Sequence, residues 1–346
     1  VVQDMAVEKT ALNNNIISLL LSKEYNITTS NVEKLKIGSA NCYKIFSFNK
    51  IFFLKEFQER FNASDIDEEA CLLDFLISNH YPTTNIIKTN NHKNYTIVEN
   101  RIVYLQKYIE GTTFCNNTAP NEILFASAML LGKLHTILKG YKQLKCEMNT
   151  MWHKQFNPSK SAESFQLLID IVDKNASDLN TQIYNDLVFK KNLQYKIAEY
   201  GEFIDSVSIG NTHGDYNCLQ YICSDKQISA VIDFSTACYM PLCWEIMRSY
   251  VQSAPECKDG DYINIQQFKQ YIKHYLNQCS LTKNDLRYMP YIYFYQLGRS
   301  KYGYKEYLSD AENKEELLNF AFWRTKMCRY LELNVDKISE ALSKIL

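Results

Sequence analysis

Residues 211–235 read NTHGDYNCLQYICSDKQISAVIDFS: a His-Gly-Asp turn, then Gln220, then an apolar strand-like run ending in Asp233-Phe234-Ser235. A carboxylate on such a loop can orient a hydroxyl and accept its proton, which suits Asp215. The amide oxygen of Gln220 and the carboxylate of Asp233, completed by phosphate and water, are the hard ligands that Mg²⁺ prefers. Such a set would suit phosphoryl transfer to a hydroxyl, which asks a protein for positioning and charge neutralisation rather than covalent help. A plainer role is also open to these residues, with His213 and Asp215 pairing across a turn and Asp233 capping a helix.

Upstream residues supply the other requirements in chain order. Gly38, Ser39, Ala40 and Asn41 lie between two strand-like runs, where exposed backbone N–H groups can cradle phosphate oxygens or simply join a hairpin. Lys55, in FFLKEF, has apolar neighbours and needs a counter-charge or a ligand, unless it snorkels from a sheet edge. Glu69 opens the apolar part of the next helix and can pair with Lys55, or simply face water beside Asp67 and Glu68. The run YLQKYIEG has the form of a strand crossing between two units; backbone groups at Gln106 and Tyr108 can meet an adenine edge there.

These residues must be held by a particular order of elements. A helix is expected from about Glu8 to Tyr25, with Leu12, Ile16, Leu19 and Leu20 on its apolar face. VEKLKI, CYKIFSF and KIFFLKEF then read as strands, and ASDIDEEACLLDFLISN as a helix capped by Ser64 or Asp65. NYTIVEN and RIVYLQKYI return to strand character, turning at Glu99-Asn100. After Gly111 helical periodicity dominates: PNEILFASAMLLGKLHTIL, residues 162–173 and 182–200, several later helices, and a C-terminal pair ending at Leu346. The expected layout is a β-rich unit over residues 1–107 and a mostly helical one over 108–346.

The ordered set resembles the aminoglycoside phosphotransferase and choline kinase-like family, from about Leu35 to Tyr250 and more loosely beyond, including LLGKLHTI with His135. The resemblance implies an α+β, bilobal protein-kinase-like fold with a small β-rich N-lobe and a large helical C-lobe. It implies transfer of the γ-phosphate of ATP or GTP, with Mg²⁺, to a hydroxyl of a small molecule. Carried over by position, Gly38, Ser39 and Asn41 cover the phosphates, Lys55 holds them and Glu69 orients Lys55. Asp215 is then the catalytic aspartate and Asp233 the principal magnesium ligand. Two departures stand out. Gln220 occupies the usual Asn position, and Glu245 stands where the following helix often opens with Asp. Asn217, two residues past Asp215, is too close to replace that Asn. A protein kinase fits poorly, because the short stretch from Asp233 to Cys243 leaves no room for an activation segment.

Composition is that of an ordinary soluble globular protein. The 346 residues are 46% hydrophobic and 22% charged, with a net charge of −1, which gives no pull toward nucleic acid or an anionic membrane. Eleven cysteines without a C-x-x-C pair suggest reduced thiols in a cytoplasmic protein. The apolar run at residues 16–21 is too short to span a bilayer. For the acceptor, Glu245, Glu256, Asp259, Asp261 and the stripe Tyr288, Tyr291, Tyr295 suggest an amine-bearing compound, an antibiotic or amino alcohol. The alternatives are a sugar or homoserine-type kinase, or a nucleotide-binding relative that has lost catalysis.

Overall fold

A computed structural model describes residues 10–35, 40–145, 156–309 and 313–346. Gly38 and Ser39, expected to cover phosphates, lie outside the described residues. Helix α1 (Asn14–Tyr25) starts later than its periodicity suggests, because the Asn13 side chain caps it by accepting the Ile16 N–H. Its buried face is Ile17, Leu20, Leu21 and Tyr25, so the expected stripe is rotated and Leu19 is 72% exposed.

The strands β1 (Asn31–Leu35), β2 (Asn41–Ser47), β3 (Lys50–Glu56), β4 (Ile86–Ile87), β5 (Thr96–Val98) and β6 (Arg101–Lys107) form one antiparallel sheet. Its order is β1-β2-β3-β6-β4, with β5 also on β6. Glu99 and Asn100, both at positive φ, make the tight β5–β6 turn that their positions suggest. One face of the sheet packs on α1 through Ile45, Leu54, Val103 and Leu105. Helix α2 (Ala63–Ser78) is capped by Asn62, not by Ser64 or Asp65; Asp65 instead closes a capping box back onto the Asn62 N–H.

The remainder is mainly helical: α3 (Asn121–Leu138), α4 (Pro158–Ile171), α5 (Asp178–Ile197), α6 (Leu242–Ser253), α7 (Ile265–Leu276), α8 (Lys283–Arg299), α9 (Tyr304–Leu308) and α10 (Lys314–Leu342). The expected C-terminal helix pair is mostly the single 29-residue α10. Two small antiparallel pairs interrupt the helices. β7 (Ile209–Thr212) pairs with β10 (Cys238–Pro241), and β8 (Tyr221–Ser224) forms a hairpin with β9 (Gln227–Val231). A continuous core joins Phe57, Leu73 and Tyr104 to Leu131, Ile246 and Ile292. No described helix is long and apolar enough to cross a membrane.

Helices α3 and α7 approach closely at Gly132, where an added Cβ would meet the Tyr275 carbonyl oxygen at 2.6 Å and Gln278 Cβ at 2.9 Å. Gly132→Ala should therefore lower stability by about 1–3 kcal/mol, as overpacked cores do, despite the better helix propensity of alanine. The urea unfolding midpoint measures it; an unchanged or raised midpoint would show that the helices can separate without loss.

Candidate active site

The His-Gly-Asp turn leaves β7 and returns through a short 3-10 segment (Cys218–Gln220) into β8. Gly214 has φ +82°, and a Cβ there would lie 2.0 Å from the Thr236 carbonyl oxygen, so the turn requires glycine. Pairing of β7 with β10 brings this turn to the start of α6, where Glu245 is fully buried. The His213 and Gly214 N–H groups donate to its two carboxylate oxygens at 3.0 and 2.6 Å. His135 of α3 donates from Nε2 to the same carboxylate at 2.9 Å, and its Nδ1 meets the Tyr275 hydroxyl at 2.9 Å. Burial would raise the Glu245 pKa, but these partners pull it below the ordinary value. Glu245 is wholly buried with both oxygens engaged, so the expectation that it faces the acceptor is corrected: it braces the loop.

His213 is buried as well. Its Nε2–H donates to the Ile232 carbonyl at 2.9 Å, and its Nδ1 accepts the Asp215 N–H at 3.3 Å. One imidazole thereby ties the Asp215 loop to the strand end that presents Asp233. Asp215 itself takes the Gln220 amide on Oδ2 at 3.0 Å and the Asn217 amide on Oδ1 at 3.1 Å. The Arg248 guanidinium, from α6, also reaches Oδ1. Arg248 and Asn217 are contacts that the sequence reading missed; Arg248 sits one helical turn past Glu245, on the face that meets the loop.

Lys55 of β3 is buried and donates to Asp233 Oδ1 at 2.7 Å, across the whole separation between sheet and loop. Ser235, in place of a glycine, donates to the same oxygen at 2.6 Å and lies 3.3 Å from the lysine nitrogen. Burial would raise the Asp233 pKa; the Lys55 charge and these hydrogen bonds outweigh it and hold it at about 2. On Lys55, burial is likewise outweighed by Asp233 and Glu69, and the ammonium's pKa is raised. Glu69 lies near Lys55 without a direct ion pair. Its Oε1 accepts the Tyr104 hydroxyl at 3.4 Å, its Oε2 is buried without a partner, and burial pushes its pKa up to about 7.

The remaining candidates divide. Asn41 is buried at the start of β2, opposite Glu56. Gln106 is buried in register with Phe53, and the Tyr108 N–H already donates to the Ile51 carbonyl at 3.1 Å. That amide is therefore committed to the sheet, which corrects the expectation that it reads an adenine. Asp259 and Asp261 are exposed, and Glu256 accepts the Tyr250 hydroxyl. The tyrosine stripe is packing: Tyr288 stacks on Phe203 at 4.3 Å, Tyr291 donates to Asp336 at 2.7 Å, and Tyr295 meets Phe156 edge-on. Tyr295 is buried, so its expected acceptor contact is corrected too.

No family model matches the sequence, and no curated protein matches it. Solved structures do share the fold. A spectinomycin phosphotransferase in complex with ADP and spectinomycin superposes with TM-score 0.64 at 14% identity, over 97% of this chain and 100% of that one. A microcompartment-associated aminopropanol kinase gives 0.66 at 11% identity, over 94% and 99%. A choline kinase from Streptococcus pneumoniae gives 0.54 at 17% identity, over 92% and 98%.

Because the folded pKa of Glu245 is depressed, its contribution is fully present above its ordinary value of 4.5 and is lost as pH falls through the folded value. Glu245→Gln should flatten the loss of stability below that pH. Glu245→Ala should cost about 3–5 kcal/mol at neutral pH, because His135 and two loop amides lose their acceptor. Denaturant titrations at several pH values check both; acid limbs that coincide for wild type and Gln variant would remove Glu245 from the linkage.

Proposed function

We propose that this chain is a small-molecule O-phosphotransferase that uses ATP or GTP, with the nucleotide held between a β-rich lobe (residues 1–107) and a helical lobe (108–346). The observation that carries this reading is the convergence of three charged residues from distant parts of the chain. Lys55 meets Asp233 at 2.7 Å, and His213 links the Asp233 strand end to the Asp215 loop. The shared fold with phosphotransferases, one of them bound to ADP, supports it.

In this reading Asp215 receives the proton of the acceptor hydroxyl as its oxygen bonds to the γ-phosphorus. The bond to the β-phosphate oxygen breaks, and the nucleoside diphosphate leaves. Gln220, Asn217 and Arg248 fix the carboxylate; Lys55 moves from Asp233 to the phosphates, where Glu69 lies close enough to steady it. A divalent cation fits Asp233, whose carboxylate already carries a cation, the Lys55 ammonium, on Oδ1. Gln220 Oε1 accepts no hydrogen bond from a described residue while Nε2 is held by Asp215, which leaves the amide oxygen as a second donor. Among the described residues no group of three His, Cys, Asp or Glu forms a metal site, so the cation fits as a partner of the nucleotide. When bound, it neutralises phosphate charge. Adenine recognition falls to groups of residues 107–111 other than the Tyr108 N–H.

The acceptor is a small hydroxyl compound. Structural neighbours that include aminopropanol and choline kinases support an amine on it, although Glu245 is buried against the loop amides and Glu256 accepts the Tyr250 hydroxyl. Magnesium-dependent nucleotide consumption across a panel of hydroxyl compounds tests the reading; nucleotide binding without transfer to any acceptor would favour the inactive relative instead.

Asp215→Asn should bind Mg·ATP nearly as well as wild type while turnover falls about 10²- to 10⁴-fold. Asp233→Asn should instead weaken Mg·ATP binding, read by calorimetry. Wild-type turnover in the first variant, or unchanged affinity in the second, would remove these assignments. Gln220→Ala should depress magnesium-dependent turnover, and Gln220→Asn should keep much of it because the amide oxygen remains. An alanine variant that behaves as wild type would make Gln220 a support for Asp215 alone, dispensable to the metal.

A further inference from the structure

Ser235 brings a half-buried hydroxyl to the charged contacts around Asp233. It sits in a single 3-10 turn (Phe234–Thr236) that starts from Asp233 at φ +63°. The turn is pinned on both sides. Phe234 is buried, its ring centroid 4.5 Å from that of His213 and 6.4 Å from that of Tyr81. The Thr236 hydroxyl donates to the His213 carbonyl at 3.2 Å, and the Ala237 N–H closes the turn onto the Phe234 carbonyl at 3.0 Å. A hydroxyl on so short and so anchored a segment keeps little freedom beyond its own χ1 rotation.

Ser235 Oγ and Asp233 Oδ1 already share one cation. The Lys55 ammonium lies 2.7 Å from Oδ1 and 3.3 Å from Oγ, and the two oxygens are 2.6 Å apart. Adjacent oxygens around Mg²⁺, bonded at roughly 2.0–2.1 Å and near right angles, stand about 2.9 Å apart. The pair therefore has to open by only about 0.3 Å to share one hard cation. Gln220 lies alongside: its backbone carbonyl accepts the N–H of Ile232, the residue before Asp233, at 3.1 Å. Serine and threonine hydroxyls hold Mg²⁺ in other nucleotide sites, so the chemistry is suitable.

We propose that Ser235 is a direct ligand of the nucleotide's divalent cation, its hydroxyl oxygen joining the Asp233 carboxylate and the Gln220 amide oxygen. The proposal rests on the phosphotransferase reading and adds a residue to the metal site of that reading. When Lys55 turns to the phosphates, Oδ1 and Oγ lose the charge they share, and a divalent ion restores it. The Ser235 O–H, which donates to Asp233 in this structure, swings to a phosphate oxygen. Its lone pairs are then free for the ion. A glycine at this position would leave the same ligand place to water.

Calorimetry on wild type and Ser235 variants with Mg·ATP, with Mn·ATP and with ATP in EDTA tests this. Ser235→Ala should weaken Mg·ATP binding about tenfold while metal-free ATP affinity stays within about twofold. Ser235→Cys gives the sharper contrast, because sulfur is a poor ligand for hard Mg²⁺ and a more tolerable one for Mn²⁺. That variant should bind Mg·ATP as weakly as the alanine variant, yet bind Mn·ATP within about threefold of wild type. A serine that only braced Asp233 would give no such recovery. An alanine variant with unchanged Mg·ATP affinity, or a cysteine variant that loses both metal complexes alike, overturns the proposal. Equal loss of metal-free and Mg·ATP binding overturns it too, since the hydroxyl would then act on the nucleotide or the fold. Wild-type protein that binds no ATP under any of the three conditions fails the phosphotransferase reading itself, and this inference with it.

Discussion

A carboxylate removed from water must be met by donors, or it will neutralise or refuse burial. Glu245 satisfies that constraint in a way that organises its surroundings. Its two oxygens take a histidine from α3 and two consecutive backbone amides from the β7–β8 loop. The loop therefore cannot choose its own conformation: its N–H groups must point at the α6 terminus, and Gly214 must take the left-handed region to let them. Asp215 follows in sequence and is aimed by what precedes it. His213, buried behind the turn, extends the same network to the residue before Asp233. The negative end of this network is internal, while the Asp215 and Asp233 carboxylates remain partly exposed beside it.

The second organising pair is Lys55 with Asp233. A lysine in the middle of an apolar strand pairing and an aspartate at positive φ are each costly alone. Together they lower each other's cost, and Ser235 adds a third hydrogen-bonding partner where a glycine would add none. Glu69 then remains in reserve beside Lys55, with one carboxylate oxygen unpartnered. The arrangement has two acceptors for one buried ammonium, and the stronger acid holds it.

Much of this was legible in the sequence because the relevant signals are local. Strand alternation in residues 41–56, the Glu99-Asn100 turn and the polar spacing around Asp215 each follow from short-range chemistry. Boundaries were less legible where two capping residues compete: Asn62 wins over Ser64 because Asp65 can complete the box only from that register. The face of α1 was misread because Leu12, though apolar, reaches the core from the segment before the helix. Long-range assignments were the least accessible. Nothing near Arg248 in sequence reveals that it meets Asp215, and the tyrosine stripe of α8 reads as a binding face until Phe203 and Asp336 are seen to cover it. An acidic loop such as residues 256–261 advertises charge but not position.

The connection between β6 and the helical half is fastened at both ends. Lys107 is held in the sheet against Phe52, and Thr112 exchanges two 2.9 Å backbone hydrogen bonds with Cys223. Gly111 lies so near that strand that a Cβ would meet the Cys223 carbonyl oxygen at 2.7 Å. Only residues 108–111 remain between the fastenings, and Tyr108 is itself tied to Ile51. A strap this short spans at most about 3.5 Å per residue when taut. It forbids the two halves from drawing apart as bodies on a tether would. Any movement of the sheet relative to the helices that follow it must therefore be a swing about this strap.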